Sequence, residues 1–159
     1  MPRVLAILIV LGAVARCQAG DGRQTMAIEA DFPYRSVYKW VKENADSIEE
    51  STGAEVVEKF GHAVNVLKST KYGVQRFTLG RSASDNLFDA RFVERQAGTI
   101  TDYDCTLVLT ALPGHRTKIE VTMTASDSAH GTLAINVELR KSLRGMRTFL
   151  EKYLCRPAP

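Results

Sequence analysis

The chain has 159 residues, 45% of them hydrophobic and 25% charged, the proportions of a globular domain rather than a disordered segment. Its length suits a single core, and three cysteines are too few for a mini-scaffold built on disulfides. The formal net charge of +3 is weaker than the concentrated charge of a dedicated nucleic-acid binder, so no nucleic-acid partner is expected.

The first residues read as a targeting segment. Arg3 precedes an uncharged, mostly aliphatic run over residues 4–15, which matches the apolar stretch of a signal peptide and is too short to span a bilayer. Cys17 and Ala19 are small residues at the −3 and −1 positions of a cut after Ala19. We expect cleavage there and export to the periplasm or the exterior. The alternatives are a buried N-terminal element of an intracellular protein, and a lipoprotein acylated at Cys17. Arg16 argues against the second, because a lipidation signal wants a small residue before the cysteine. Cleavage would leave 140 of the 159 residues, remove Arg3 and Arg16 to lower the charge from +3 to +1, and retain only Cys105 and Cys155.

Along the remaining chain, residues 25–30 alternate, with Met26, Ile28 and Ala30 on one face of a first strand. Asp31 is placed to cap a helix and Pro33 to open it. Val37, Trp40, Val41 and Ile48 recur at helical spacing, which predicts one bent helix or two short ones over 33–52 with a break near Asn44. A period of two then takes over. Strands are predicted at 54–60, 63–68, 74–81, 87–95, 99–111 and 117–124, separated by short turns such as Gly61-His62 and Leu112-Pro113-Gly114. Short connections between alternating strands imply an antiparallel meander with one wetted face. From about residue 132 a long helix carries Leu139, Leu143, Met146, Leu150 and Tyr153 as one stripe, although Leu133, Ile135 and Val137 alternate like a strand.

The expected fold class is therefore α+β: a curved antiparallel sheet of seven strands wrapped around a long C-terminal helix, with two short helices after the first strand. The whole of 20–159 forms one domain in this reading. The Asp31-Phe32-Pro33 entry with Val37 and Trp40, the hairpin around Leu112-Pro113-Gly114 and the closing helix over 139–154 carry a resemblance. On them the chain resembles the START-like or SRPBCC superfamily of polyketide cyclase/dehydrase-like and lipid-transport proteins, whose arrangement is the helix grip. The resemblance implies a cavity between sheet and terminal helix that takes lipids or other apolar small molecules, and in a minority of members performs catalysis.

Alternation selects the inward residues: Phe77, Leu79, Phe88, Phe92, Tyr103, Leu107, Val121 and Met123 from the strands, faced by Leu139, Leu143 and Met146 from the helix. These are the candidate ligand contacts, although most of them must also build the core. Glu94 shares their face and is a candidate polar anchor at the rim.

No phosphate loop or nucleophile elbow occurs, and no catalytic residue is assigned. His62, His115 and His130 fall at turns or loops without a ligand partner at metal spacing, so surface placement, no metal and no cofactor are expected. Asp102 and Asp104 flank Tyr103 and are assigned to the solvent face; an inward pair would revive an acid/base enzyme of the cyclase/dehydratase kind. An interaction module without a cavity is the third class of reading.

Cys105 and Cys155 would meet an oxidising compartment after export, where a bridge is common. The helix, however, ends beyond Cys105 along the strand. The favoured reading is a buried Cys105 and an exposed Cys155, with a disulfide between them as the alternative. Finally, Arg140, Lys141, Arg144, Arg147, Lys152 and Arg156 oppose only Glu138 and Glu151 over 138–156. This basic face is either solvated or a contact for anionic membrane lipid.

Overall fold

The computed structural model describes residues 20–70, 73–83, 89–96, 101–127 and 130–156, with the backbone alone at 69, 70, 73, 75, 89–92, 94–96 and 101. The elements run β1 (Gly20–Ala30), α1 (Tyr34–Glu43), α2 (Ala45–Glu50), β2 (Ala54–Phe60), β3 (Ala63–Thr70), β4 (Gly73–Ala83), β5 (Asp89–Gln96), β6 (Thr101–Leu112), β7 (Arg116–Asp127) and α3 (Thr132–Leu154). The strands pair antiparallel in the order β1-β7-β6-β5-β4-β3-β2. The β4–β5 seam is the shortest, joining Leu79–Ala83 to Gln96–Phe92.

β1 begins at Gly20, five residues before the alternation that predicted it. The polar residues Asp21, Arg23 and Gln24 hide the strand from a hydropathy reading, yet Gly20 and Gly22 face inward. A Cβ on Gly20 would lie 2.4 Å from the Thr132 nitrogen, and one on Gly22 2.6 Å from Ile135 Cγ2. The missing side chains are what let the start of α3 settle on β1. α3 then runs alongside β1 to its end, where the Asp31 N–H donates to the Leu154 carbonyl at 2.9 Å.

Asp31 does not cap α1. Its carboxylate accepts the Arg156 N–H at 2.7 Å, and Pro33, expected to open the first turn, is the N-cap, so that the helix starts at Tyr34. Asn44 separates two short helices: its backbone and side-chain N–H groups both donate to the Trp40 carbonyl, at 2.9 and 2.8 Å, and close α1. β6 and β7 run to Leu112 and Asp127, and β4 runs through Ser82, which the sequence assigned to a turn.

One core forms on the helix side of the sheet. Val37 and Val41 of α1, Ile48 of α2, and Ile135, Leu139, Leu143, Met146, Leu150 and Leu154 of α3 pack on the inward residues of the strands. The alternation of Leu133, Ile135 and Val137 is helical: only Ile135 is buried. Tyr153 leaves the predicted stripe, being 47% exposed, because Leu154 takes the core position one turn after Leu150. Its ring instead joins those of Trp40 and Phe149, with centroids 5.7 and 4.9 Å away.

The sheet curls. β3 stands five strand spacings from β1, about 24 Å in a flat sheet. Nevertheless Lys68 of β3 reaches Ser142 of α3, the helix that lies along β1. Both sides of the sheet therefore approach the same helix.

Candidate functional site

The inner face carries most of the residues that alternation selected. Phe77, Leu79, Tyr103, Leu107, Val121 and Met123 of the strands are buried, as are Leu139, Leu143 and Met146 of α3. They share one hydrophobic cluster. Phe88 lies outside the described residues. Phe92 and Glu94 are described by register alone, opposite Leu107 and Cys105.

Within this apolar interior sits a polar group that the sequence reading did not select. The Lys68 ammonium donates to Ser142 Oγ at 3.0 Å and stands 5.1 Å from the centre of the Tyr103 ring, a cation–π contact. Burial pushes the Lys68 ammonium below the usual lysine range; attraction from Glu49, Cys105 and Glu138 offsets part of that shift, and Lys141 adds to it. Glu49, near the end of α2, is 1% exposed, and its Oε2 has no hydrogen-bond partner among the described residues. A buried carboxylate oxygen without a donor is costly, and so is a desolvated ammonium. The pair marks a place where the interior accepts polar chemistry.

The signal for Lys68 was in the strand pattern: Val64 and Val66 are buried, and Lys68 is the next residue on their face. Glu49 follows Ile48 on a helix too short for its buried face to be read from spacing.

The remaining candidates separate clearly. Tyr103 points inward, while Asp102 is exposed and Asp104 half-buried on the opposite alternation. Their register partners Ser126 and Thr124 belong to the outer alternation of β7. His62 and His115 are exposed at turns. His130 is not: it is half-buried, with Nδ1 2.7 Å from the Asp127 carboxylate. Among the described residues no His, Cys, Asp or Glu cluster could hold a metal ion.

Cys105 and Cys155 form no disulfide. Cys105 is opposite Met123, which is opposite Gln24, whereas the Cys155 thiol donates to the Glu29 carbonyl at 3.3 Å, five positions further along β1. Cys155 is half-buried rather than exposed. Burial, reinforced by the charges of Asp31 and Glu151, pushes its thiol up. Arg140, Lys141, Arg144, Arg147, Lys152 and Arg156 are exposed, as the basic face requires.

Space of ligand size lies beside the two short helices. A cleft of about 590 Å³ opens between α1–α2 and the β2–β3–β4 side of the sheet, within the usual range for small-molecule sites. Lys42, Asp46, Lys59 and Arg81 line it, and Val64 connects it to the inward face of β3. The Asp46 carboxylate accepts from both Lys59 and Arg81. Burial pushes the Asp46 carboxyl up, but the hydrogen bonds and charges of Arg81 and Lys59 outweigh it and hold the group below its ordinary value. A gap of about 20 Å³, room for roughly one water, adjoins the cleft and is lined by Val41, Ile48, Val93 and Leu107. Ala45, Arg81 and Ser82 line both spaces. Among the described residues, Leu107 is the one expected contact residue that borders this gap.

No family model and no curated protein matches the sequence. Solved structures share its fold. A START superfamily protein from Mycobacterium smegmatis superposes with a TM-score of 0.63 at 8% identity, covering 83% of this chain and 96% of that one. The Zhui aromatase/cyclase from Streptomyces sp. R1128 gives 0.55 at 10% identity, over 83% and 94% of the two chains. The lipid transfer and protein localization domain of human StarD13 gives 0.52 at 11%, over 79% and 75%. These likenesses extend over most of the chain and establish that its fold is the one seen in START-type structures.

Proposed function

We propose that this chain is an exported START-like protein that binds a hydrophobic small molecule or lipid between its curled sheet and α3, without turning it over. The observation that carries this reading is the placement of Lys68, Ser142 and Tyr103 inside a largely apolar interior. An apolar wall with a few convergent polar groups suits a ligand that is mostly hydrocarbon with one oxygen to orient. Ser142 takes one ammonium hydrogen, which leaves Lys68 others for a ligand carbonyl or hydroxyl. The fold is shared with the human StarD13 lipid transfer and protein localization domain, which supports the same reading.

Export rests on the sequence of residues 1–19, with cleavage after Ala19. The intact mass of secreted protein should begin at Gly20. The basic face of α3 suits transient contact with anionic lipid during delivery. Co-sedimentation with anionic vesicles, weakened by salt, is the expected result.

Native mass spectrometry of the purified protein tests ligand binding. One apolar adduct per chain, released by organic solvent, is expected; a bare chain after incubation with lipid extract would contradict it.

A second reading is an enzyme of the cyclase/dehydratase kind, as one fold neighbour is the Zhui aromatase/cyclase. Glu49 favours it, as a buried carboxylate beside an amine that burial inclines to neutrality. Glu49→Gln should abolish turnover of a polyketide substrate in that case, and should leave binding intact if the protein is only a carrier.

A further inference from the structure

The cleft beside α1–α2 has a charge balance of its own. Among the described residues of its lining, Lys42, Lys59 and Arg81 face a single carboxylate, Asp46, an excess of two positive charges, with His62 also in the lining. Asp46 already shows how the cleft holds an anion: one carboxylate accepts from Lys59 on β2 and from Arg81 on β4. Arg81 is fixed for this task, because its backbone N–H donates to the His62 carbonyl at 2.8 Å and its side chain is only 19% exposed. Lys42, in the last turn of α1, adds a third cation from the opposite wall. The same cleft is not wholly polar. Val64 and Ala45 line it, and Ala45, Arg81 and Ser82 also line the apolar gap that reaches Leu107.

From this juxtaposition we infer that the cleft is the seat of the anionic head of an amphipathic ligand, a phosphate monoester or carboxylate, with the hydrocarbon tail lying against the apolar part of its wall at Ala45 and Val64. The inference rests on the hydrophobic-ligand reading and adds the head group to it. A head bound here would lie beside Asp46, with Arg81 and Lys59 donating from the sheet and Lys42 from the helix. Charge-assisted hydrogen bonds of this kind are about twice as strong as neutral ones. They also orient the ligand, with its head held among the cations.

Calorimetric titration with dodecyl phosphate, dodecanol and inorganic phosphate, below micelle-forming concentrations, tests the proposal. The variant combines Lys42→Gln with Lys59→Gln. Both side chains are exposed, so folding should survive, and a matching circular-dichroism melt checks that. Dodecyl phosphate should bind the native chain, lose about tenfold or more in affinity in the variant, the scale of one charge-assisted bond, and weaken with salt. Dodecanol should bind both proteins alike. Equal loss for both alkyl compounds, or none for either, would overturn the head-group assignment while leaving hydrophobic binding intact. Inorganic phosphate bound as tightly as dodecyl phosphate would overturn it in favour of a free-anion site. Failure of both alkyl compounds to bind would overturn the hydrophobic-ligand reading itself.

Discussion

Lys68 of β3 donates a hydrogen bond to Ser142 of α3 at 3.0 Å, although α3 lies along β1, five strand spacings away in the sheet. This contact crosses the curled sheet and sets a polar pair within its interior. It ties a desolvated ammonium to the helix that the sheet encloses, with the Tyr103 ring on its other side.

The depressed Lys68 ammonium makes stability depend on alkaline pH. The unfolded chain holds that proton up to about pH 10.4. The folded chain releases it earlier, so between the two values the unfolded state binds more protons and stability rises with pH. Lys68→Met removes the titration. Urea melts approaching pH 10 should show the native chain gaining on the variant; parallel pH curves would contradict this.

Asp46 gives the opposite limb. Its folded value is lowered by Arg81 and Lys59. Its contribution is therefore fully present above the ordinary carboxylate value of about 3.9 and is lost as pH falls through the lower folded value. Asp46→Asn should cost about 1 kcal/mol or less at pH 7, because the ion pairs are partly solvated. It should also reduce the fall in melting temperature on acidification below about pH 4.

Gly145 marks where α3 crosses the end of α2. An added Cβ would lie 2.1 Å from the Ser51 carbonyl oxygen, which is backbone and yields little. Gly145→Ala should destabilise by about 1–3 kcal/mol, the usual cost of overpacking. Gly131→Ala, which meets nothing within 4 Å, should leave the melting temperature nearly unchanged.

The Cys155 thiol is raised by burial and by Asp31 and Glu151, so it holds less thiolate near neutral pH than an ordinary cysteine. Alkylation by iodoacetamide at pH 7.5 should be slower than for a cysteine-containing peptide. Non-reducing intact mass should show both Cys105 and Cys155 as thiols; a loss of two hydrogens would contradict the fold described here.

The strand faces were legible because their alternation is strict where the sheet is packed on one side only: Tyr103, Cys105, Leu107 and Leu109 inward, Asp102 outward. The helix over 132–154 was legible from its stripe. β1 was cut short because two inward positions are glycines, which carry no hydropathy signal yet are required by the approach of α3. Lys68 was passed over because a lysine reads as solvent-facing unless the period that places it beside Val64 and Val66 is allowed to overrule its charge. The cleft was illegible for a different reason. Lys42, Asp46, Lys59 and Arg81 come from four separate elements, and only the curl of the sheet brings them together. Asp31 shows the local rule giving way to a distant one, since its carboxylate serves Arg156 beyond α3 instead of the adjacent helix.

In the proposed function an apolar ligand enters between the sheet and α3. Met123 of β7 and Met146 of α3 are both fully buried in the core between these layers, and their methyl groups report on it directly. Titration of methyl-labelled protein with dodecanol, followed by NMR, should shift the Met123 and Met146 resonances saturably at one ligand per chain. Resonances that stay fixed while the ligand binds elsewhere, or while nothing binds, would contradict the account.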